Sequence, residues 1–263
     1  MKKNHFYIPY VGNKRAEVQT ILNNINLDNV TTIIEPFCGS CSMSYYIWIN
    51  NKDKNYKYVL NDNNPYLLEM YKIIKSAPKI KKLEKEYTKT VNSFYKDGKY
   101  NKDKYKDIIK QKNLMGWLIT NKIYGARLGM CPLDDKAKSS NELNLTSYPV
   151  YNFFNEANIE FTNDNWYKCF NKYENNDNCL FLFDPPYLIA NNDFYNDPTV
   201  DIYQYFFHNN YKNHKNKIYF ILEKMWIMEL LFNGWGKFEY PKKYTSFKKK
   251  LSTHVIYKNI PNE

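Results

Sequence analysis

The apolar run Cys179-Leu180-Phe181-Leu182-Phe183 breaks abruptly into Asp184-Pro185-Pro186-Tyr187. A short apolar run without polar alternation reads as a buried strand, of the kind found inside a parallel sheet. Two consecutive prolines cannot continue a hydrogen-bonded ladder, so the strand must end there. They also leave the Asp184 and Pro185 carbonyls with no obvious local backbone donor. A carboxylate, two rigid imides and an aromatic ring are thus delivered together where the sheet opens. That is an arrangement for gripping an amine.

A rhythm of strands and helices surrounds this point. Residues 14–26 are helix-like, with Val18, Ile21, Leu22 and Ile25 on one face. Thr31-Thr32-Ile33-Ile34 is β-branched and reads as a buried strand ending at Glu35-Pro36. Ser42 to Ile49 reads as a helix, Tyr56 to Leu60 as a second strand, and Pro65 opens a helix through Ile74. Ile159-Glu160-Phe161, Leu180 to Phe183 and Lys217 to Leu222 read as further strands, and Trp226 to Phe232 as a helix. Lys237 to Tyr240 and Thr253 to Tyr257 read as a closing antiparallel pair. Alternation of this kind predicts an α/β fold with a doubly wound, mostly parallel sheet.

The rhythm fails between residues 77 and 150. Pro78 is expected to end the preceding helix. Lys79 to Lys112 is charged and reads as largely helical, with Tyr87, Val91, Phe94, Tyr95, Tyr100 and Tyr105 forming no clean core stripe. Asn113 to Thr120 is more apolar, and a Gly-bearing loop and a polar tract follow. Residues 77–150 are therefore expected to form an inserted subdomain, and residues 1–76 with 151–263 the main α/β domain.

Lys and Arg number 38 against 27 Asp and Glu, a net charge of +11. So basic a chain suits a polyanionic partner, nucleic acid first. The abundance of Lys, Asn, Tyr and Ile is also what an AT-rich genome produces, and that bias raises the charge without a function. No segment approaches the roughly 18 apolar residues of a membrane helix. Met1-Lys2-Lys3-Asn4-His5 has no apolar signal core behind it, so the protein is expected inside the cell. Cys38-Gly39-Ser40-Cys41 fits C-x-x-C, but no second Cys pair or His cluster completes a metal site. It reads instead as a Gly-containing turn after a strand, and no metal is expected.

Three acidic strand ends then line up: Glu35, Asp62 and Asp184. In open α/β sheets, ligands bind beyond the carboxyl ends of the strands. A Gly-containing turn after the first strand lets backbone approach a ligand, and an acid ending the second strand suits a ribose diol. Neither G-x-G-x-x-G nor G-x-x-x-x-G-K-[S/T] is present. Taken singly, Glu35 and Asp62 also fit ordinary turn or capping acids.

Asp184-Pro185-Pro186-Tyr187 resembles the D-P-P-Y motif of amino-group DNA methyltransferases, and Glu35-Pro36-Phe37-Cys38-Gly39-Ser40 is similar to their E-P-F-x-G-x-G. Tyr10-Val11-Gly12-Asn13-Lys14 resembles the W-x-G-(G/N)-K segment of Dam-like adenine methylases, and Asn61-Asp62-Asn63-Asn64-Pro65 their acid after the second strand. Asn121 to Arg127 is similar to that family's N-R-x-x-F-N-G-L segment. The order of the pieces, with an insertion ahead of D-P-P-Y, is that of the alpha group, and the likeness runs over about residues 6–258. Two positions depart from the pattern. Cys41 follows Ser40 where a second glycine is usual, and the strand after D-P-P-Y ends in Glu223-Lys224 rather than Ser-Asn.

The resemblance implies a Rossmann-like S-adenosylmethionine-dependent methyltransferase fold, with a seven-stranded sheet and an inserted helical target-recognition subdomain. It implies transfer of a methyl group to the N6 amine of an adenine flipped out of duplex DNA. Asp184, Pro185, Pro186 and Tyr187 would be the catalytic set. Tyr10, Gly12, Lys14, Glu35, Phe37, Gly39, Asp62 and Asp164 would line the cofactor site, Asp62 on the ribose and Lys14 and Glu35 near the methionine end. Asp164 fits a loop turn acid equally well. Lys122, Arg127, Lys248, Lys249 and Lys250 would meet DNA. The lysine triplet also fits a solvated charge run, and Arg127 a structural role. A catalytically silent DNA-binding relative and an RNA adenine methyltransferase are the alternatives.

Overall fold

The structure, a computed structural model, describes residues 14–96, 99–124, 143–147, 150–187, 200–243 and 251–259. In chain order the strands are β1 (Thr32–Glu35), β2 (Lys57–Asn61), β3 (Tyr95–Lys96), β4 (Lys99–Tyr100), β5 (Asn158–Thr162), β6 (Cys179–Phe183), β7 (Lys217–Glu223), β8 (Gly236–Lys243) and β9 (Leu251–Lys258). The helices are α1 (Val18–Leu22), α2 (Ser42–Asn50), α3 (Pro65–Ile74), α4 (Ala77–Asn92), α5 (Lys102–Lys110), α6 (Leu114–Tyr124), α7 (Val150–Glu156), α8 (Trp166–Tyr173), α9 (Val200–His208) and α10 (Trp226–Leu231). No helix among the described residues is long and apolar enough to cross a membrane.

Two compact units divide these elements. In the first, Lys14–Asn63 with the chain from Asn158 onward, the described strands form a seven-stranded sheet in the order β5-β2-β1-β6-β7-β9-β8. The pairs from β5 through β7 are parallel, and β9 and β8 run antiparallel to their neighbours. This is the mostly parallel, Rossmann-like α/β sheet that the sequence predicts. The apolar run of β6 is buried at all five residues, which explains why it carries no polar alternation. Its last residue, Phe183, stacks on Phe220 of β7 with centroids 4.7 Å apart. Around them Phe170, Phe181, Phe206 and Phe232 form an aromatic layer, where the large aromatic content of the chain is put to use. Pro241 sits in β8, the edge strand, where a missing N–H costs no ladder bond.

The first predicted helix is shorter than its apolar spacing suggests, covering Val18–Leu22 rather than 14–26. Asparagine ends it: Asn23 is the C-cap, and the Asn24 side chain donates to the Thr20 carbonyl at 2.9 Å. Such local side-chain bonds compete with helical ones. The helices predicted from the sequence do not include α7, α8 or α9. In α8 the signal was present, since Asn165 caps the helix by accepting the Lys168 amide at 2.8 Å, and Trp166, Cys169, Phe170 and Tyr173 are all buried.

The second unit spans Asn64–Ala157. Asn64 opens it, its side chain accepting the Tyr66 and Leu67 amides ahead of Pro65. The long helix expected over 79–112 is instead α4, the β3–β4 hairpin and α5. Asp97-Gly98, between the two strands, is a dipeptide that hairpins favour. Asn101 then caps α5 by accepting the Lys104 amide at 3.0 Å. Pro78 does not end a helix. The preceding one stops at Ile74, and Pro78 lies in the first turn of α4, where its absent N–H is harmless. A core stripe does exist, since Ile80, Leu83, Tyr87 and Val91 are buried along α4. Phe94 packs edge-on to Tyr105, and Tyr71 lies 4.7 Å from Phe154.

Candidate active site

Parallel order puts the carboxyl ends of β5, β2, β1, β6 and β7 along one edge of the sheet. The polar residues of that edge converge on Asn61, the last residue of β2, whose side chain is fully buried. Its amide nitrogen donates to the Pro36 carbonyl and to the Asp164 carbonyl, both at 2.9 Å. Its amide oxygen accepts the Thr162 hydroxyl at 2.8 Å and the Asp164 amide at 2.9 Å. One side chain thus ties together the ends of β1, β2 and β5 with all four of its hydrogen-bonding valences used.

Next to it, the chain leaving β1 turns sharply. The Cys38 amide donates to the Asn61 carbonyl at 2.7 Å, and the Gly39 amide to Asp62 Oδ2 at 3.0 Å. Gly39 has φ of 45°, and Cys41 has φ of 56° as the N-cap of α2. The residue that replaces the second motif glycine therefore holds the left-handed backbone a glycine favours, at a cost of about 1–2 kcal/mol for an L-residue. Its side chain is buried in the turn, with Sγ 3.8 Å from the Gly39 carbonyl. Cys38 and Cys41 are free thiols, and burial pushes the Cys38 thiol well above its ordinary value. The C-x-x-C is a turn, in which the Gly39 amide meets the Asp62 carboxylate and the Cys38 amide the Asn61 carbonyl.

Glu35 is 1% exposed and accepts the Ser44 amide at 2.8 Å, in the first turn of α2. Burial pushes its carboxyl up to about 7; the Ser44 bond and Lys14 oppose this, and the charge of Asp184 adds to it. Phe37 packs against the aromatic layer, its ring 6.5 Å from that of Phe183.

Beyond β6, Asp184 meets Lys14. The Lys14 ammonium, 2% exposed, is 2.5 Å from each Asp184 oxygen and 5.3 Å from the centre of the Tyr187 ring. Burial raises the Asp184 carboxyl and Lys14 pulls it back. Pro185 is buried, while Asp184, Pro186 and Tyr187 are half-buried. Lys14, expected near the methionine end of a cofactor, thus stands on the carboxylate of the expected catalytic group. Glu223, at the unusual end of β7, accepts the Ser252 hydroxyl at 2.5 Å. Lys224 pairs with Glu239 at 2.7 Å.

Of the residues singled out from sequence, Glu35, Phe37, Gly39, Asp62, Asp164 and Asp184 to Tyr187 thus lie at adjoining strand ends, and Lys14, ahead of α1, joins them through Asp184. Lys122 lies on α6, and its side chain is outside the described residues, as are Tyr10, Gly12, Arg127, Lys248, Lys249 and Lys250. Sequence reasoning missed Asn61 as the hub and Glu17, Tyr240, Lys242 and His254 as a buried polar cluster next to Tyr187. Asn61 stood beside the noted acid and could have been flagged as a buried amide at a strand end. The other four come from three separate elements, and no spacing rule joins them. Among the described residues no group of three or more His, Cys, Asp or Glu is placed to hold a metal ion.

The edge gathers polar groups and one aromatic ring. It offers a carboxylate already oriented by a glycine amide at Asp62, a half-buried aromatic ring at Phe37, and a second acid, Asp164, fixed through its backbone. Compared with known families, residues 10–229 match the D12 class of N6 adenine-specific DNA methyltransferases. No curated protein matches the chain at a significant level. Among solved structures, one that matches is the rRNA methyltransferase aviRa from Streptomyces viridochromogenes, at 13% identity and a TM-score of 0.37, over 93% of this chain and 83% of that one.

Proposed function

The chain belongs to the D12 class of N6-adenine-specific DNA methyltransferases, and on that premise we propose that it methylates the exocyclic N6 amine of adenine in duplex DNA, using S-adenosylmethionine and a base turned out of the helix. The observation that carries this reading is the strand end itself: a carboxylate held by a buried lysine, followed by two prolines and an aromatic ring. Bound S-adenosylmethionine supplies an electrophilic methyl group on a positively charged sulfur. Asp62 would hold the ribose hydroxyls, Phe37 and Asp164 the adenine end, and the turn at Gly39 would bring backbone close to the cofactor. Tyr10 and Gly12 would complete that site from the N-terminal segment.

The adenine N6 lone pair is delocalised into the ring, so the amine is a poor nucleophile. Asp184 and the Pro185 carbonyl would accept its two N–H bonds and localise the lone pair on nitrogen. The prolines fix these acceptors in advance, so the interaction strengthens as charge develops on nitrogen. The proton that the methylated amine gives up would pass to the Asp184 carboxylate. Lys14 opposes the rise that burial imposes on the Asp184 carboxyl, and it must share the carboxylate with the incoming amine. Tyr187 would stack on the extruded base, which costs a few kcal/mol to unpair. Lys122, Arg127 and the triplet Lys248, Lys249 and Lys250 would hold phosphates, with Arg127 able to read guanine.

Transfer of a labelled methyl group from S-adenosylmethionine to duplex DNA tests the proposal. The wild-type chain is expected to label adenine N6, and Asp184→Ala to lose at least about a hundredfold in rate, as removal of an oriented catalytic acceptor does. Undiminished methylation by Asp184→Ala would overturn the site. Labelling of RNA in place of DNA would overturn the substrate.

A further inference from the structure

Adjoining Asp184 and Tyr187 is a buried polar cluster that the chemistry above does not use. Glu17, the N-cap residue of α1, is 6% exposed. Its Oε2 accepts the Tyr240 hydroxyl at 2.9 Å and lies 3.0 Å from His254 Nδ1, while its Oε1 accepts the Lys242 ammonium. Tyr240 and His254 face each other in register across β8 and β9, and both are buried. The His254 ring meets Tyr187 edge-on at 5.4 Å and Tyr240 at 5.7 Å. Tyr187 also has near it the Lys14 ammonium that holds Asp184, 5.3 Å from the ring centre.

A buried carboxylate is costly unless it is fully paired. Burial pushes Glu17 up, but His254, Lys14 and Lys242 outweigh it and hold the group down to about 2. Such a cluster is no cheaper for stability than a well-packed apolar patch would be. One of its partners, His254, instead meets the Tyr187 ring, whose plane a stacked base must match. We propose that Glu17 is a positioning residue for methyl transfer: by anchoring Tyr240, Lys242 and His254 it fixes, through the His254 ring, the plane in which Tyr187 receives the target base. This inference rests on the proposed role of Tyr187 in the function above.

A double-mutant cycle on the full chain tests it, with methyl transfer to duplex DNA as the rate and calorimetry with S-adenosylmethionine as the binding control. Glu17→Gln keeps the shape and removes the charge. It is expected to lower kcat about tenfold, within the usual range of coupling between residues that share a contact network. Cofactor affinity should stay within about twofold, because the loss falls on the transition state. In a Tyr187→Ala background the same substitution should cause no further loss. Tyr240→Phe removes a single donor to Glu17; it should show a smaller loss with the same non-additivity, and it replaces Glu17→Gln in the cycle if that variant does not fold. Additive losses, or an unchanged kcat in both variants, would overturn the positioning role and leave the proposed function standing. A wild-type chain that methylates no DNA would overturn both, and that result is read without any variant.

Discussion

Glu35 shows how one side chain can carry opposing demands. It accepts the Ser44 amide that starts α2, yet it is buried beside the negative charge of Asp184. Its carboxyl titrates near 7 in the folded chain against 4.5 ordinarily. Below pH 4.5 it is protonated in both folded and unfolded states, and folding is not penalised. As pH rises from 4.5 through 7 the unfolded chain releases this proton and the folded chain keeps it. Stability is therefore lost across that window, by about 3 kcal/mol, and changes no further above it. Glu35→Gln keeps an acceptor for Ser44 and cannot ionise. Chemical denaturation should show it more stable than wild type at pH 8 by up to about 3 kcal/mol, with the advantage gone near pH 4. Parallel stability profiles for the two proteins between pH 4.5 and 7.5 would rule the assignment out.

At the scale of elements, the site depends on strand ends being held at fixed offsets. Asn61 does this for β1, β2 and β5 through its bonds to Pro36, Thr162 and Asp164. Asn61→Ala would leave those buried groups without these partners, at a cost of roughly 3 kcal/mol or more. Asn61→Asp should be no milder, because it turns a second acceptor toward the Pro36 and Asp164 carbonyls. Calorimetry should also find S-adenosylmethionine binding weakened, since Asp164 and Pro36, just ahead of the Cys38–Gly39 turn, lose their common side-chain anchor. A denaturation midpoint for Asn61→Ala equal to that of wild type would contradict the hub. Most strands were legible beforehand because a buried strand advertises itself as a short apolar run, as in β1, β2, β6 and β7. The helix expected over 79–112 was not, since lysine-rich sequence has high helix propensity wherever it lies, and that outweighed the single Asp-Gly dipeptide in the stretch.

For the whole molecule, the net charge of +11 separates two accounts of the composition. If the lysines meet DNA phosphates, binding releases counterions and depends steeply on salt. Affinity for duplex DNA should then fall at least about a hundredfold between 50 and 200 mM salt, as for a protein making several phosphate contacts. Fluorescence anisotropy across that range measures it. A nearly flat salt dependence would mean that the charge reflects amino-acid usage and that other contacts bring DNA to the site.

Sequence alone determined the class of sheet, the ends of its parallel strands and the residues standing at those ends. Burial, strand termination and turn chemistry act over a few residues, and Cys179 to Tyr187 carries all three within one stretch. Tertiary structure decided which of those residues meet. Lys14 and Asp184 are 170 positions apart and share an ion pair, while Tyr240, Lys242 and His254, from β8 and β9, surround the buried carboxylate of Glu17 at the start of α1. Cys41 shows the same division at one residue: the sequence reports a missing glycine, and only the fold shows that cysteine takes up the glycine's backbone angle. Such contacts depend on sheet order and register, which set distances between segments that local patterns along the chain do not encode.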